Sequence, residues 1–170
     1  METVKHVLVY GYGNPGRQDD ALGNEMVLKI QDWLDEHHLR CMATDSNYQL
    51  NIEDAEKISQ FDIVVFIDAT KEEIHEYKFE KLTPQEDKVE FTMHAVSPSY
   101  VLHLSKKLFN KQPEAYILGI KGFEWELQEG LTDNAKLNLE QAFQFLCRQL
   151  AGWALIKKNL PIGMLSEDKC

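Results

Sequence analysis

Two acids, Asp19 and Asp20, follow the glycine-rich stretch GYGNPG at 11–16. A third, Asp68, closes the apolar run VVFI, and an imidazole, His94, follows KVEFTM and precedes Ser97–Pro98. Each stands just after a strand-like segment. An acid that ends a buried run is costly unless it caps a turn, is paired or works in a site. Open α/β sheets keep their chemistry at the carboxyl ends of their strands. Gathered there, Asp20, Asp68 and His94 would form an O,O,N set with open positions. Such a set suits a borderline divalent metal, nickel or zinc, or acid–base hydrolysis. Each residue also has a structural reading. Asp19 and Asp20 fit the start of a helix, where each gains about 0.3–1 kcal/mol from the dipole. Asp68 fits a turn cap, and His94 an ordinary loop histidine.

The glycines pose a second question, because Gly11 to Gly16 spell G-x-G-x-x-G. In a dinucleotide fold that turn opens a helix at once, so that free N–H groups meet the pyrophosphate. Here the helical pattern starts only near Asp19 or Asp20, Pro15 removes one N–H, and two carboxylates stand where a phosphate would sit. Asp45, an acid after the second strand, could contact a ribose. The pattern alone is weak, and no nucleotide cofactor is expected.

The elements that must position these groups alternate. HVLVYG (6–11) reads as a buried strand, and residues 20–38 as a helix with Leu22, Met26, Ile30 and Leu34 stepping by four beside Val27 and Trp33. CMATDS (41–46) reads as a strand and 52–60 as a short helix. DIVVFIDAT (62–70) is continuously apolar at its centre, as in a sheet covered on both faces. YKFEKL (77–82) and KVEFTM (88–93) alternate like edge strands. Residues 98–109 form a helix with Val101, Leu102, Leu104 or Ser105, and Leu108 inward, and AYILGIKG (115–122) a buried strand. Thr132 caps a helix over 133–150, with Leu139, Ala142, Phe143, Leu146 and Leu150 on its core face. The order predicts one three-layer α/β domain over 1–150 with a mainly parallel sheet, then a loosely held tail, 151–170.

Composition narrows the function. A chain of 170 residues with 44% hydrophobic and 27% charged residues is globular, and its net charge of −10 disfavours nucleic acid. No apolar run reaches the roughly 20 residues of a membrane span. Cys41, Cys147 and Cys170 are odd in number and widely spaced, which points to a reducing, cytoplasmic setting. Oligomeric state is not legible. Tyr48, Phe123 and Trp125 are candidates either for partner docking or for ordinary packing.

Four segments in order resemble the endopeptidases that mature the large subunit of nickel–iron hydrogenases. The first is GYGNPGRQDDALG (11–23), a strand followed by G-x-G-N, four residues, a pair of acids and a glycine. The second is VVFIDA (64–69), an apolar strand ending in Asp-Ala. The third is HAVSPSYVL (94–102), a histidine opening a helix. The fourth is LGIKGFEWELQEGLTDNA (118–135), a glycine-flanked strand, an acidic loop and a helix entry. The likeness runs from about residue 7 to 150.

The resemblance implies an α/β/α fold with a five-stranded twisted sheet, and metal-contacting residues at Asp20, Asp68 and His94. It implies a hydrogenase large-subunit precursor as partner, nickel supplied by that substrate, and removal of a short C-terminal extension. Gly11, Gly13, Asn14, Asp45 and Gln49 fall in the loops that would shape the site or grip the substrate. Two departures stand out. Ala21 follows the second acid where many members have Gly, and DSNYQLNIEDA (45–55) replaces an Asp-Gly-Gly-Thr stretch, which bears on the hydrogenase served. GNPG also resembles the opening of bacterial peptidyl-tRNA hydrolases, but the Thr-Arg-His-Asn stretch of that family is missing here. A nickel- or dinucleotide-binding module without turnover is the non-enzymatic alternative.

Overall fold

In the computed structural model, which describes residues 5–86 and 96–155, strands and helices alternate as β1 (Val7–Tyr12), α1 (Leu22–Glu36), β2 (Met42–Asn47), α2 (Asp54–Ile58), β3 (Ile63–Thr70), β4 (Tyr77–Lys81), α3 (Pro98–Phe109), β5 (Glu114–Lys121) and α4 (Asp133–Leu155). The strands form one sheet in the order β2-β1-β3-β5-β4. Every neighbouring pair is parallel except β4, which runs antiparallel to β5 at one edge. The apolar run at 63–67 is buried as the central strand, as its composition requires.

Side-chain alternation along the strands splits the interior in two. Val7, Val9, Val65, Ile67, Leu118 and Ile120 pack with α1 and α4 on one face. Leu8, Tyr10, Val64, Phe66 and Ala115 pack with α2 and α3 on the other. The result is the expected α/β/α sandwich. Each fully buried aliphatic side chain contributes roughly 1.5–3 kcal/mol, so these faces, rather than helix propensity, hold the helices down.

Boundaries differ from the sequence reading in three places. A 3-10 turn, Gln18–Ala21, precedes α1, which starts at Leu22. The buried stripe of α3 ends at Ser105, whose hydroxyl donates to the Lys111 carbonyl (2.9 Å) as the chain turns back through left-handed Asn110. Leu108 therefore lies beyond the stripe and is 63% exposed, not inward. Helix α4 continues to Leu155 instead of stopping at 150, because Trp153 extends its apolar face onto the ring of Tyr116, 5.5 Å away. The strand expected over 88–93 and most of the expected tail lie outside the described residues. Thr132 caps α4 as expected, its hydroxyl accepting from the Ala135 N–H (3.3 Å). Among the described residues no helix is long and apolar enough to cross a membrane.

Candidate active site

The strand order reverses at β1: β2 lies on one side of it and β3 on the other. Crossovers leave in opposite directions there, and the crevice outside the strand ends is where open α/β sheets bind ligands. Gly11 is paired with Ile67, so the next positions, Tyr12 and Asp68, stand side by side on one face of the sheet at this crevice.

Glycines bring Asp20 to the same place. A Cβ on Gly11 would stand 2.1 Å from the Gly23 carbonyl oxygen, so only glycine lets α1 rest directly on β1. Gly13 has φ 150°, and a Cβ on it would meet the Asp20 carbonyl oxygen at 1.9 Å. The space left by both missing side chains is thus filled by this chain's own backbone, not turned towards a phosphate. Asn14 shapes the turn: its Oδ1 accepts from the Gly16 N–H (2.9 Å), and its own N–H donates to Asp20 Oδ2 (2.9 Å).

Asp20 and Asp68 are close enough to repel. Burial, with the charge of Asp20 second, pushes the Asp68 carboxyl up from an ordinary 3.8 to about 7. The Tyr12 hydroxyl donates to Asp68, which opposes that rise, while burial and the same carboxylate hold the Tyr12 phenol firmly protonated. Asp68 can therefore exchange a proton near neutral pH, the condition that general acid–base work requires. Tyr12 escaped the sequence reading because its place beside Asp68 depends on β1 and β3 being neighbours.

The adjacent acids divide their work. Asp19 is fully buried and faces inward. Its Oδ2 accepts from the Phe123 N–H (2.8 Å), the Glu124 N–H (3.1 Å) and the Thr132 hydroxyl (2.8 Å). Its Oδ1 accepts from the Thr132 N–H (2.8 Å). Gln18, held at φ 44°, adds two links to the same loop, donating to Glu124 Oε2 (3.0 Å) and accepting from the Glu126 N–H (3.0 Å). Asp19 is thus a loop anchor, and it lies ahead of α1 rather than in its first turn. The anchored loop presents Phe123, 42% exposed, and Leu127, 86% exposed, while Trp125 is half-buried under the Lys71 ammonium, 4.8 Å from its ring.

The weaker candidates fare differently. Asp45, in the second half of β2, is ion-paired with Lys57, which also lies 3.7 Å from buried Asp54. Asp54 accepts from the Tyr10 hydroxyl (3.0 Å) and the Asn51 N–H (2.8 Å). Asp45 thus joins a network that fixes the β2–α2 connection, while Gln49 and its neighbour Tyr48 are exposed. Tyr10→Phe should cost about 1–2 kcal/mol, because buried Asp54 loses a donor. Urea unfolding measures this, and an unchanged midpoint would show the bond to be immaterial.

His94 lies outside the described residues. Among the described residues no group of three His, Cys, Asp or Glu side chains gathers to hold a metal. What the structure brings together is the pair Asp20 and Asp68. A cation between them would relieve the repulsion that helps keep Asp68 protonated, so the donor chemistry fits a divalent ion.

A five-stranded α/β/α sandwich with two acids at its strand-order reversal is the class that fold and site define. Solved structures that share the fold include hydrogenase maturation proteases. The hydrogenase maturating endopeptidase HYBD from E. coli matches with a TM-score of 0.64 at 18% identity, over 86% of this chain and 93% of that one. The [NiFe] hydrogenase maturation protease HycI from Thermococcus kodakarensis matches with a TM-score of 0.65 at 18% identity, over 86% and 93%. The maturation protease HybD from the same organism gives 0.61 at 18% identity, over 86% and 99%. This chain has their fold. No protein-family model and no curated protein sequence matches it.

Proposed function

We propose that this chain is an endopeptidase that removes the C-terminal extension of a nickel-loaded large-subunit precursor of a nickel–iron hydrogenase, in the cytoplasm. The observation that carries the reading is the meeting of Asp20 and Asp68, from separate elements, at the strand-order reversal of a fold solved repeatedly in such proteases. The precursor's nickel is part of the substrate. Asp20 and Asp68, with His94 as the resemblance implies, would hold it and so bring the scissile peptide into register. Asp68 then takes a proton from the attacking water as its oxygen bonds to the carbonyl carbon. It returns that proton to the amine as the C–N bond breaks. Tyr12 keeps the Asp68 carboxyl oriented during both transfers.

The test uses precursor with and without nickel. Wild-type protein should cleave only the loaded form, and Asp20→Ala should lose that cleavage while keeping its fold by circular dichroism. Cleavage of both forms by wild type, or full activity in Asp20→Ala, would overturn the reading.

A further inference from the structure

An open pocket of about 720 Å³ lies against the segment 123–127. Phe123, Trp125 and Leu127 supply apolar lining, and Arg17, Lys71, Glu124 and Glu126 supply charge. Arg17 precedes Asp20 by three residues and Lys71 follows Asp68 by three. Three residues of extended chain span at most about 11 Å, so the pocket adjoins the acid pair.

Its wall is built before anything binds. The Arg17 Nε donates to the Trp125 carbonyl (3.2 Å). The Trp125 ring is seated on Gly122, where a Cβ would stand 2.9 Å from Cζ2. The carboxyl of Asp19 and the amide of Gln18 hold the main chain at Phe123, Glu124 and Glu126. The cost of ordering this segment is thus met in the free protein. Yet the segment leaves Phe123 and Leu127 exposed. Fixed apolar side chains rimmed by charge are the anatomy of a contact surface rather than of a core.

The charges narrow the guest. Among the described residues neither Arg17 nor Lys71 forms an ion pair, although two carboxylates line the same pocket. Glu124 is turned to Gln18, whose amide donates to its Oε2 (3.0 Å). Two cations are left as donors beside apolar surface, while the neighbouring acids repel a bare polyanion. A guest that satisfies both conditions brings a single carboxylate next to an apolar group.

We propose that this pocket binds the precursor's peptide a few residues from the cleaved bond, taking an acidic side chain, Asp or Glu, with Arg17 and Lys71 and an adjoining apolar side chain on Phe123 and Leu127. The assignment rests on the peptidase reading. The volume lies within the roughly 300–1,000 Å³ of ligand pockets and suits a short stretch of peptide.

Binding and kinetics test it. Acetyl-Leu-Asp-Leu-amide, added to the whole protein, should shift the amide resonances of Trp125 and Leu127. At the same concentration acetyl-Leu-Asn-Leu-amide, acetyl-Leu-Lys-Leu-amide and inorganic phosphate should not. Lys71→Glu should reverse the preference, so that the lysine peptide gives the larger shift, and should raise the KM for loaded precursor about fivefold. Leu127→Ala should raise KM about threefold. Both losses should fall on KM rather than kcat. Equal responses to the aspartate and asparagine peptides, a phosphate response as large as the aspartate peptide's, or an unreversed preference in Lys71→Glu would overturn the assignment. If wild-type protein cleaves no loaded precursor, the peptidase reading fails by itself, and the peptides still decide whether the pocket takes an acidic side chain.

Discussion

Asp68→Asn should cut cleavage of loaded precursor by about 100- to 10,000-fold, the usual contribution of one acid–base group, and yet make the protein more stable at about pH 8. Both effects have one origin. The folded carboxyl holds its proton up to about 7, whereas an ordinary one gives it up near 3.8. The stabilisation supplied by the protonated form is complete below the unfolded value and is lost as pH rises through the folded one. Above neutrality wild-type protein carries a buried charge facing Asp20, and the displacement is then worth roughly 4 kcal/mol. Asparagine keeps an acceptor for the Tyr12 hydroxyl and has no charge to bury. Urea unfolding of both proteins should coincide near pH 4 and separate progressively to about pH 8, with the variant the more stable. A gap that does not change with pH, or a variant less stable in base, would show that burial of this carboxyl is not what the site stores.

Its counterpart is Asp19→Ala, which should cost about 3–5 kcal/mol. Four hydrogen bonds end on this fully buried carboxyl, three of them from main-chain N–H groups of the loop it anchors. Loss of the anchor should also free the 123–132 loop, seen as faster hydrogen exchange at Phe123, Glu124 and Thr132. Asp20→Ala, one residue on, removes a single bond to Asn14 and should cost at most about 1 kcal/mol. Equal losses from the two substitutions would contradict the division of labour between these neighbours.

That division shows where the sequence stops being readable. Acids placed after strand-like runs are visible as candidates, and Asp20 and Asp68 do reach one crevice. Which member of the Asp19–Asp20 pair turns outward is decided by a 3-10 turn entered through Gln18 at φ 44°, a conformation nothing about glutamine announces. Tyr12 has the right parity to face the site, but its partner depends on a strand order that local pattern does not encode. Asp45 looks free beside its neighbours. Its cation, Lys57, arrives only when α2 folds back over β1 and β2. The extension of α4 likewise depends on Tyr116, a residue of another element.

The seating of α1 on β1 has a consequence for how such a chain can change over time. Gly11 and Gly13 are met by main-chain atoms of Gly23 and Asp20, so the position of the second acid is gauged by backbone against backbone. At both glycines the nearest atom is a carbonyl oxygen, not a side chain. Substitutions elsewhere in the interior can then accumulate, each repacked by its neighbours, without moving the two carboxylates apart. A few glycines carry the spacing of the acids, and the remaining sequence is left free to diverge.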